Sequence, residues 1–167
     1  MNFRMAKMRD LPQLKTVFRR IVAHMNMNDI KIWDDIFPCE FFQVDIEHNC
    51  LYILEDDKVI ISAFALYESN DGESYVQWED GKARVMYINR FGVNVDYMRQ
   101  GIGKRMLKNA KAIAKQKGVE YVRLFVVDMN KPAIDLYLKN GFKQVEGIYE
   151  ERFDDFVLRE YGFEMRI

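Results

Sequence analysis

A strand, a glycine turn and a helix follow one another in a single stretch, residues 87–117, which reads YINRFGVNVDYMRQGIGKRMLKNAKAIAKQK. Its first part is rich in the β-branched and aromatic residues typical of a buried strand, and its turn carries Gly101 and Gly103. Apolar residues then recur at helical spacing between lysines and arginines: Ile102, Met106, Leu107, Ala110, Ile113 and Ala114. The stretch therefore predicts a strand followed directly by an amphipathic helix.

The glycine turn predicts a site for an anionic group. Glycine allows the backbone to adopt unusual dihedral angles and to come close to a ligand. The unpaired N–H groups and the dipole at a helix start both favour negative charge. We therefore expect a phosphate-bearing cofactor at residues 99–104. The basic side chains nearby could meet its phosphates, or could form a solvated helix face: Arg99, Lys104, Arg105 and Lys108.

Residue counting argues against two familiar glycine-rich motifs. A P-loop needs a glycine at the position of Met98 and a serine or threonine at the position of Arg105. A dinucleotide-binding fingerprint needs a third glycine where Met106 stands. A nucleotide-binding protein is therefore disfavoured.

A second informative stretch spans residues 128–146, DMNKPAIDLYLKNGFKQVE. Asn130 can cap a helix that has Pro132 in its first turn and Gly141 just past its end. Asn130 and Tyr137 are seven residues apart, so two helical turns place them on nearly one face. The apolar run at 119–127 predicts a buried strand before this helix, and strand–helix–strand order implies a right-handed crossover with parallel pairing.

Together, the two stretches resemble motifs A and B of the GCN5-related N-acetyltransferase (GNAT) superfamily. Motif A there reads Gln/Arg-x-x-Gly-x-Gly/Ala, and its first position is Met98 here, a departure from the pattern. Motif B matches at Asn130, Ala133, Tyr137, Gly141 and Phe142. The resemblance covers roughly residues 50–147. It implies one N-acetyltransferase domain over residues 1–167, with an α/β fold: a mixed, mostly antiparallel sheet, a central parallel βαβ pair, and helices on both faces.

The resemblance also implies the chemistry: acetyl-CoA is the co-substrate, and an amine attacks it directly within a ternary complex. A backbone N–H near Val93 to Val95 would polarise the carbonyl, and Tyr137 would be the catalytic residue that protonates the leaving thiol. Asn130 would hold the pantetheine arm. The cofactor-binding residues carried over by position are Val93, Asn94, Val95, Arg99, Gln100, Gly101, Ile102, Gly103, Lys104, Asn130, Ala133 and Tyr137.

The group that removes the proton of the amine stays open at this level. Some members of the superfamily carry a glutamate where Tyr87 stands, and neither Asn89 nor Phe91 supplies a carboxylate instead. Water, Glu79 or Asp80 could take the proton, and the only two histidines, His24 and His48, are further alternatives. The missing carboxylate keeps a second function open, a non-catalytic acyl-CoA-binding or regulatory module.

The acceptor is expected to be a primary amine of a small molecule or a peptide. Two polar segments, 27–40 and 69–84, hold acidic residues and two tryptophans that would suit a cation, although simple solvated loops fit equally well. These residues are Asp29, Trp33, Asp34, Asp35, Glu40, Asp71, Glu73, Trp78, Glu79 and Asp80.

Composition limits the other classes of function. A net charge of −1 argues against a general nucleic-acid surface. Cys39 and Cys50, with no histidine at metal spacing, suit a reduced cytoplasmic chain without a zinc site. No segment has the apolar length of a membrane helix, and the first residues lack a signal-peptide core. We expect a cytoplasmic protein, monomeric or homodimeric, with no metal and no nucleic-acid or membrane partner.

The remaining elements follow from periodicity and turn signals. Asp10 is expected to cap a helix at 11–26, and Asp57-Lys58 to form the turn of a hairpin. Strands are predicted at 3–8, 51–56, 59–68, 85–95, 119–127, 142–150 and 156–167, a further helix at 39–48, and a polar excursion at 69–84.

Overall fold

The computed structural model describes all 167 residues. The helices are α1 (Leu11–Met27), α2 (Phe42–Glu47), α3 (Ile102–Gln116) and α4 (Lys131–Lys139). The strands are β1 (Asn2–Met5), β2 (Leu51–Asp56), β3 (Val59–Tyr67), β4 (Val76–Gln77), β5 (Val85–Val93), β6 (Tyr121–Val127), β7 (Lys143–Gln144), β8 (Glu146–Gly147), β9 (Tyr149–Arg152) and β10 (Val157–Arg166). Short 3-10 helices lie at Met8–Asp10, Cys39–Phe41, Glu73–Tyr75 and Val95–Tyr97.

The predicted α/β class is confirmed. Hydrogen bonds order the main sheet as β1-β2-β3-β5-β6-β10-β7, with β9 also paired to β10, and β4 and β8 form a separate two-stranded sheet. The sheet is mostly antiparallel, and the β5–β6 pair is parallel, as the strand–helix–strand order predicts. The chain forms two compact units, the first of Met1–Leu66 with Arg90–Met106 and the second of Tyr67–Asn89 with Leu107–Ile167. The single N-acetyltransferase domain over 1–167 stays a prediction.

In the first unit, the apolar face of α1 is buried as its periodicity predicts, and Leu14 and Phe18 are fully enclosed. The hairpin between β2 and β3 turns at Asp57 and Lys58, which have φ values of +45° and +67°. Positive φ at both central residues is what a type I′ hairpin turn needs, because its twist then matches that of the strands.

The predicted cap of α1 is wrong. The chain enters α1 through a 3-10 turn, so Asp10 already has helical dihedrals of −83° and −17°. Its carboxylate accepts the N–H of Lys7 at 2.7 Å and pairs with Arg4 at 2.8 Å. The guanidinium of Arg4 holds the pKa of Asp10 below its usual value.

In the second unit, the closing segment differs from its prediction. Residues 142–150 divide among three short strands, and β8 pairs with β4 inside the polar segment predicted to lie between strands. Gly147 explains the break, because its φ is +104° and a Cβ there would lie 2.7 Å from the carbonyl oxygen of Tyr75. Only glycine permits that close approach of two backbones.

Candidate active site

The carboxyl end of β5 presents backbone N–H groups, as the resemblance requires. The N–H of Asn94 donates to the carbonyl of Ile61 on β3 at 2.9 Å. Successive N–H groups of an extended chain point to opposite sides, so the N–H of Val93 points away from β3. The side chain of Asn94 is buried and structural, since it donates to the carbonyl of Ile60 and accepts the N–H of Asp96. Because the N–H of Asn94 is already used, the predicted donor to the carbonyl is the N–H of Val93 or of Val95.

An ion pair holds β5 just before this end. Arg90 has a φ of +52°, an uncommon value for a residue with a side chain, and it marks an irregularity within the strand. Its guanidinium donates two hydrogen bonds, of 2.6 and 2.7 Å, to the carboxylate of Asp45 on α2, which is fully buried. The guanidinium also lies over the ring of Phe41, 5.1 Å from its centroid. No local sequence pattern indicates this pair, because its two residues are 45 positions apart in the chain.

The glycine turn has the geometry expected of a ligand cradle. Gly101 has a φ of +76°, and a Cβ built on it would meet no atom within 4 Å. Helix α3 begins at the next residue, Ile102, whose side chain is buried and anchors the turn. The first N–H groups of α3 have no partner within the helix, and the space on the Cβ side of Gly101 just before them is open. The basic and amide side chains predicted to meet phosphates here are exposed: Arg99, Gln100, Lys104 and Arg105.

Helix α4 begins as the sequence predicts. The side-chain oxygen of Asn130 accepts the N–H of Ala133 at 3.3 Å, which caps the helix and leaves the side-chain NH₂ to donate elsewhere. Two turns on, Tyr137 is 7% exposed and packs against Phe142 and Phe163, with ring centroids 5.7 and 6.3 Å away. The structure thus brings Asn130, Ala133 and Tyr137 together on one helix.

The phenol of Tyr137 is in the form that a general acid needs. Burial raises its pKa above the ordinary value for tyrosine, so the phenol stays protonated through the neutral range. Its hydroxyl forms no hydrogen bond within the protein, and, unlike that of Tyr87, it is not sealed from solvent. A protonated, unengaged O–H is available to a leaving group.

The predicted acidic and aromatic lining of segment 69–84 is partly used for packing. The guanidinium of Arg123 lies 4.4 Å from the ring of Trp78 and donates to Glu164 at 3.1 Å and to the carbonyl of Asp80 at 2.7 Å. One face of Trp78 is therefore already covered by a cation. In segment 27–40, Trp33 packs against Phe18, with ring centroids 5.8 Å apart.

None of the side chains predicted to accept the proton of the amine is buried. Glu79 and Asp80 are exposed, and a carboxylate oxygen of Asp80 accepts the N–H of Lys82. His24 and His48 are exposed at the ends of α1 and α2. A different carboxylate, not among the predicted proton acceptors, is half-buried: Glu160 on β10. The sequence does not distinguish it, because the predicted strand at 156–167 holds three other charged residues: Arg159, Glu164 and Arg166.

Cys39 and Cys50 are free thiols, and burial raises the pKa of Cys39. No group of three or more histidine, cysteine, aspartate or glutamate side chains is arranged to hold a metal ion. None of the four helices combines the length and apolar character needed to span a bilayer.

The chain belongs to the acetyltransferase (GNAT) family, whose pattern matches residues 18–142. This range includes both the glycine turn and α4. The thialysine N-epsilon-acetyltransferase of Bos taurus is 28% identical over 94% of each chain. Two solved structures share the fold. A GNAT-family acetyltransferase from Streptococcus agalactiae has a TM-score of 0.77 at 12% identity over 99% of this chain and 95% of that one. The PaiA N-acetyltransferase of Thermoplasma acidophilum, in complex with coenzyme A, has a TM-score of 0.69 at 20% identity over 99% and 98%.

Proposed function

We infer that this protein is an N-acetyltransferase that moves the acetyl group of acetyl-CoA to a primary amine by direct attack within a ternary complex. Family membership over residues 18–142 is the observation that carries this conclusion. The open cradle at Gly101 and the protonated phenol of Tyr137 support it, since both are what such a reaction needs from the protein.

In this proposal, four parts of the chain have defined tasks. The N–H groups at the start of α3 hold the pyrophosphate, and Asn130 holds the pantetheine arm through its side-chain NH₂. An N–H at the end of β5, of Val93 or Val95, donates to the negative charge that develops on the carbonyl oxygen. Tyr137 gives its proton to the departing thiol. The thiol has a pKa near 8.5 when unperturbed, so this help matters but is not indispensable.

The acceptor in this proposal is a primary alkylamine that is cationic at neutral pH. The name of the bovine relative places the acetyl group on the ε nitrogen of thialysine, which supports this class. A panel of alkylamines, α-amino acids and peptides, assayed with acetyl-CoA by release of free thiol, tests it. Alkylamines should give the highest kcat/KM, and reaction of α-amino groups alone would contradict this acceptor class.

Replacing Gly101 by alanine should weaken coenzyme A binding about tenfold, which corresponds to roughly 1.4 kcal/mol. The new methyl group would occupy the open space beside the helix start, where the pyrophosphate is proposed to lie. Titration calorimetry with coenzyme A measures the effect.

The matched control is Gly118→Ala at the other end of α3. Gly118 has a φ of +65°, close to the +76° of Gly101, and its Cβ would make only an ordinary contact with Arg84 at 3.5 Å. Both variants carry the same backbone strain, so both should lose similar thermal stability. Equal coenzyme A affinity in the two would show that the turn does not hold the cofactor.

A non-catalytic acyl-CoA-binding module is the second candidate function. It is favoured by one observation, the lack of a carboxylate at Tyr87 and Asn89 on β5. It predicts coenzyme A binding that depends on Gly101, but no amine-dependent release of thiol. The two functions therefore differ in the amine panel and agree in the calorimetry.

A further inference from the structure

Glu160 lies beside the carboxyl end of β6. It pairs across β10–β6 with Val127, the last residue of β6, and across β10–β9 with Tyr149. Only Asp128 and Met129 separate Val127 from Asn130, the N-cap residue of α4. Ligands of α/β proteins bind outside the carboxyl ends of parallel strands, because the following loops open there. Glu160 therefore stands where the second unit leads into its predicted cofactor-binding helix.

The carboxylate of Glu160 lacks the partners that the other buried carboxylates have. Asp10, Asp45 and Glu164 are paired with Arg4, Arg90 and Arg123, respectively. Glu160 is half-buried, yet it forms no hydrogen bond or ion pair, and its oxygens are not sealed from solvent. An unpaired carboxylate in such a place is unfavourable for folding, and residues of this kind concentrate at functional sites.

The groups that face Glu160 are acidic or aromatic. Strand β9 presents Tyr149 and Glu151. Segment 69–84 contributes Asp71, whose negative charge helps to raise the pKa of both side chains. On the β6 side stands apolar Val127. Burial and, secondarily, the charge of Glu151 raise the pKa of Glu160 to about 7. A proton acceptor is most effective when its pKa lies near the working pH.

We propose that Glu160 is the general base that removes the proton from the acceptor amine, an inference that rests on the proposed acetyl transfer. The ammonium group gives one proton to the Glu160 carboxylate and becomes a neutral amine. The amine nitrogen bonds to the carbonyl carbon, and the carbon–sulfur bond breaks. The sulfur takes a proton from Tyr137, and the nitrogen releases its second proton to solvent. Tyr137 then regains a proton from solvent, and Glu160 returns its proton to solvent. The net reaction releases one proton.

The side chains of Glu160 and Tyr137 lie on opposite faces of β10. Tyr137 packs against Phe163, and side chains three residues apart on a strand, such as those of Glu160 and Phe163, point to opposite faces. The base can therefore meet the incoming amine on one face while the acid meets the departing thiol from the other.

Glu160→Gln keeps the shape of the side chain and removes the base. We expect kcat at pH 8 to fall about 100-fold, at the low end of general-base effects. The wild-type kcat/KM profile should show an acidic limb with a midpoint near pH 7, and this limb should vanish in the variant. Glu151→Gln should instead move the limb to lower pH, because it removes the neighbouring negative charge. Glu150→Gln, on the opposite face of β9, should leave the limb in place.

Thermal unfolding gives a readout that needs no substrate. Because the folded pKa of Glu160 is raised, its protonated form adds stability at low pH, and this contribution is lost as pH rises through about 7. Glu160→Gln should therefore raise the unfolding temperature relative to wild type at pH 8, and leave it nearly unchanged at pH 5.

The possible failures are distinguishable. If the wild-type protein releases thiol with amines but Glu160→Gln retains both kcat and the acidic limb, Glu160 is not the base and the proposed function stands. If no amine releases thiol from acetyl-CoA in the wild-type protein, both the proposed acetyl transfer and the proposed role of Glu160 as a base are wrong. An unfolding temperature that differs equally from wild type at both pH values would show that Glu160 does not titrate near 7, which also overturns the proposal.

Discussion

Replacing Tyr137 by phenylalanine should lower kcat about 100-fold, with little change in coenzyme A affinity. The substitution removes only the O–H, and the ring keeps its contacts with Phe142 and Phe163. The leaving thiolate departs fairly well unaided, so the loss should fall at the low end of the usual range for a general acid. Because burial raises the pKa of Tyr137 above the ordinary tyrosine value of about 10, the wild-type rate should show no alkaline limb from this group below that pH.

Tyr121→Phe is the matched control for this prediction. Tyr121 is another buried tyrosine of the second unit, 5% exposed, and has no assigned part in the reaction. Both variants should unfold at nearly the wild-type temperature. If Tyr137→Phe and Tyr121→Phe both retain wild-type kcat with the best acceptor, Tyr137 is only a packing residue.

Replacing Asp45 by alanine should lower the free energy of unfolding by about 3–5 kcal/mol, the usual result of removing one partner of a buried ion pair. The guanidinium of Arg90 is largely buried, with 13% of its side chain exposed, and it would lose two short hydrogen bonds. The backbone of Arg90 is also held at positive φ, so the local geometry of β5 should loosen with the loss of the pair. Urea denaturation measures the change.

Asp96→Ala offers a control with the same chemistry at the surface. Asp96 also accepts two hydrogen bonds from an arginine, Arg20, at 2.7 and 2.8 Å, but the two side chains are 59% and 48% exposed. Exposed pairs contribute little because water and salt screen them. The urea midpoint should therefore stay close to wild type. Equal shifts of the urea midpoint in Asp45→Ala and Asp96→Ala would show that burial does not increase the contribution of the Arg90–Asp45 pair to stability.

Local patterns predicted the elements that depend on local forces. The apolar period of α3, the cap of α4 at Asn130 and the turn at Asp57-Lys58 all formed as expected. The two-residue strand β4 was not predictable, because it exists only through pairing with β8, about 70 residues away. The cap at Asp10 failed for a similar reason. Its carboxylate accepts the N–H of Lys7 within the preceding 3-10 turn and pairs with Arg4 on β1, and the pairing with a neighbouring strand is not visible in the local sequence.

The residues of the candidate site also fall into those that the local sequence predicts and those that it does not. The glycine turn before α3 and the position of Tyr137 on α4 could be predicted from the sequence, because each depends on spacing within a single local element. Their tasks in the reaction stay predictions. Glu160 could not, since its importance comes from what surrounds it: the end of β6, the acidic Glu151 and the absence of an arginine. Carboxylates at 151, 160 and 164 look alike in the sequence, and only the fold gives Glu164 a guanidinium and leaves Glu160 without one.

The most direct test of the acetyl transfer measures two products of one reaction with purified protein, acetyl-CoA and the best amine of the panel. Free thiol is followed continuously, and the amine product is identified by mass spectrometry in the same samples. The proposed function predicts one N-acetylated amine for each thiol released, at a rate that saturates with both substrates and falls about 100-fold in Tyr137→Phe. Coenzyme A binding without amine-dependent thiol release, or thiol release without an acetylated amine, would contradict it.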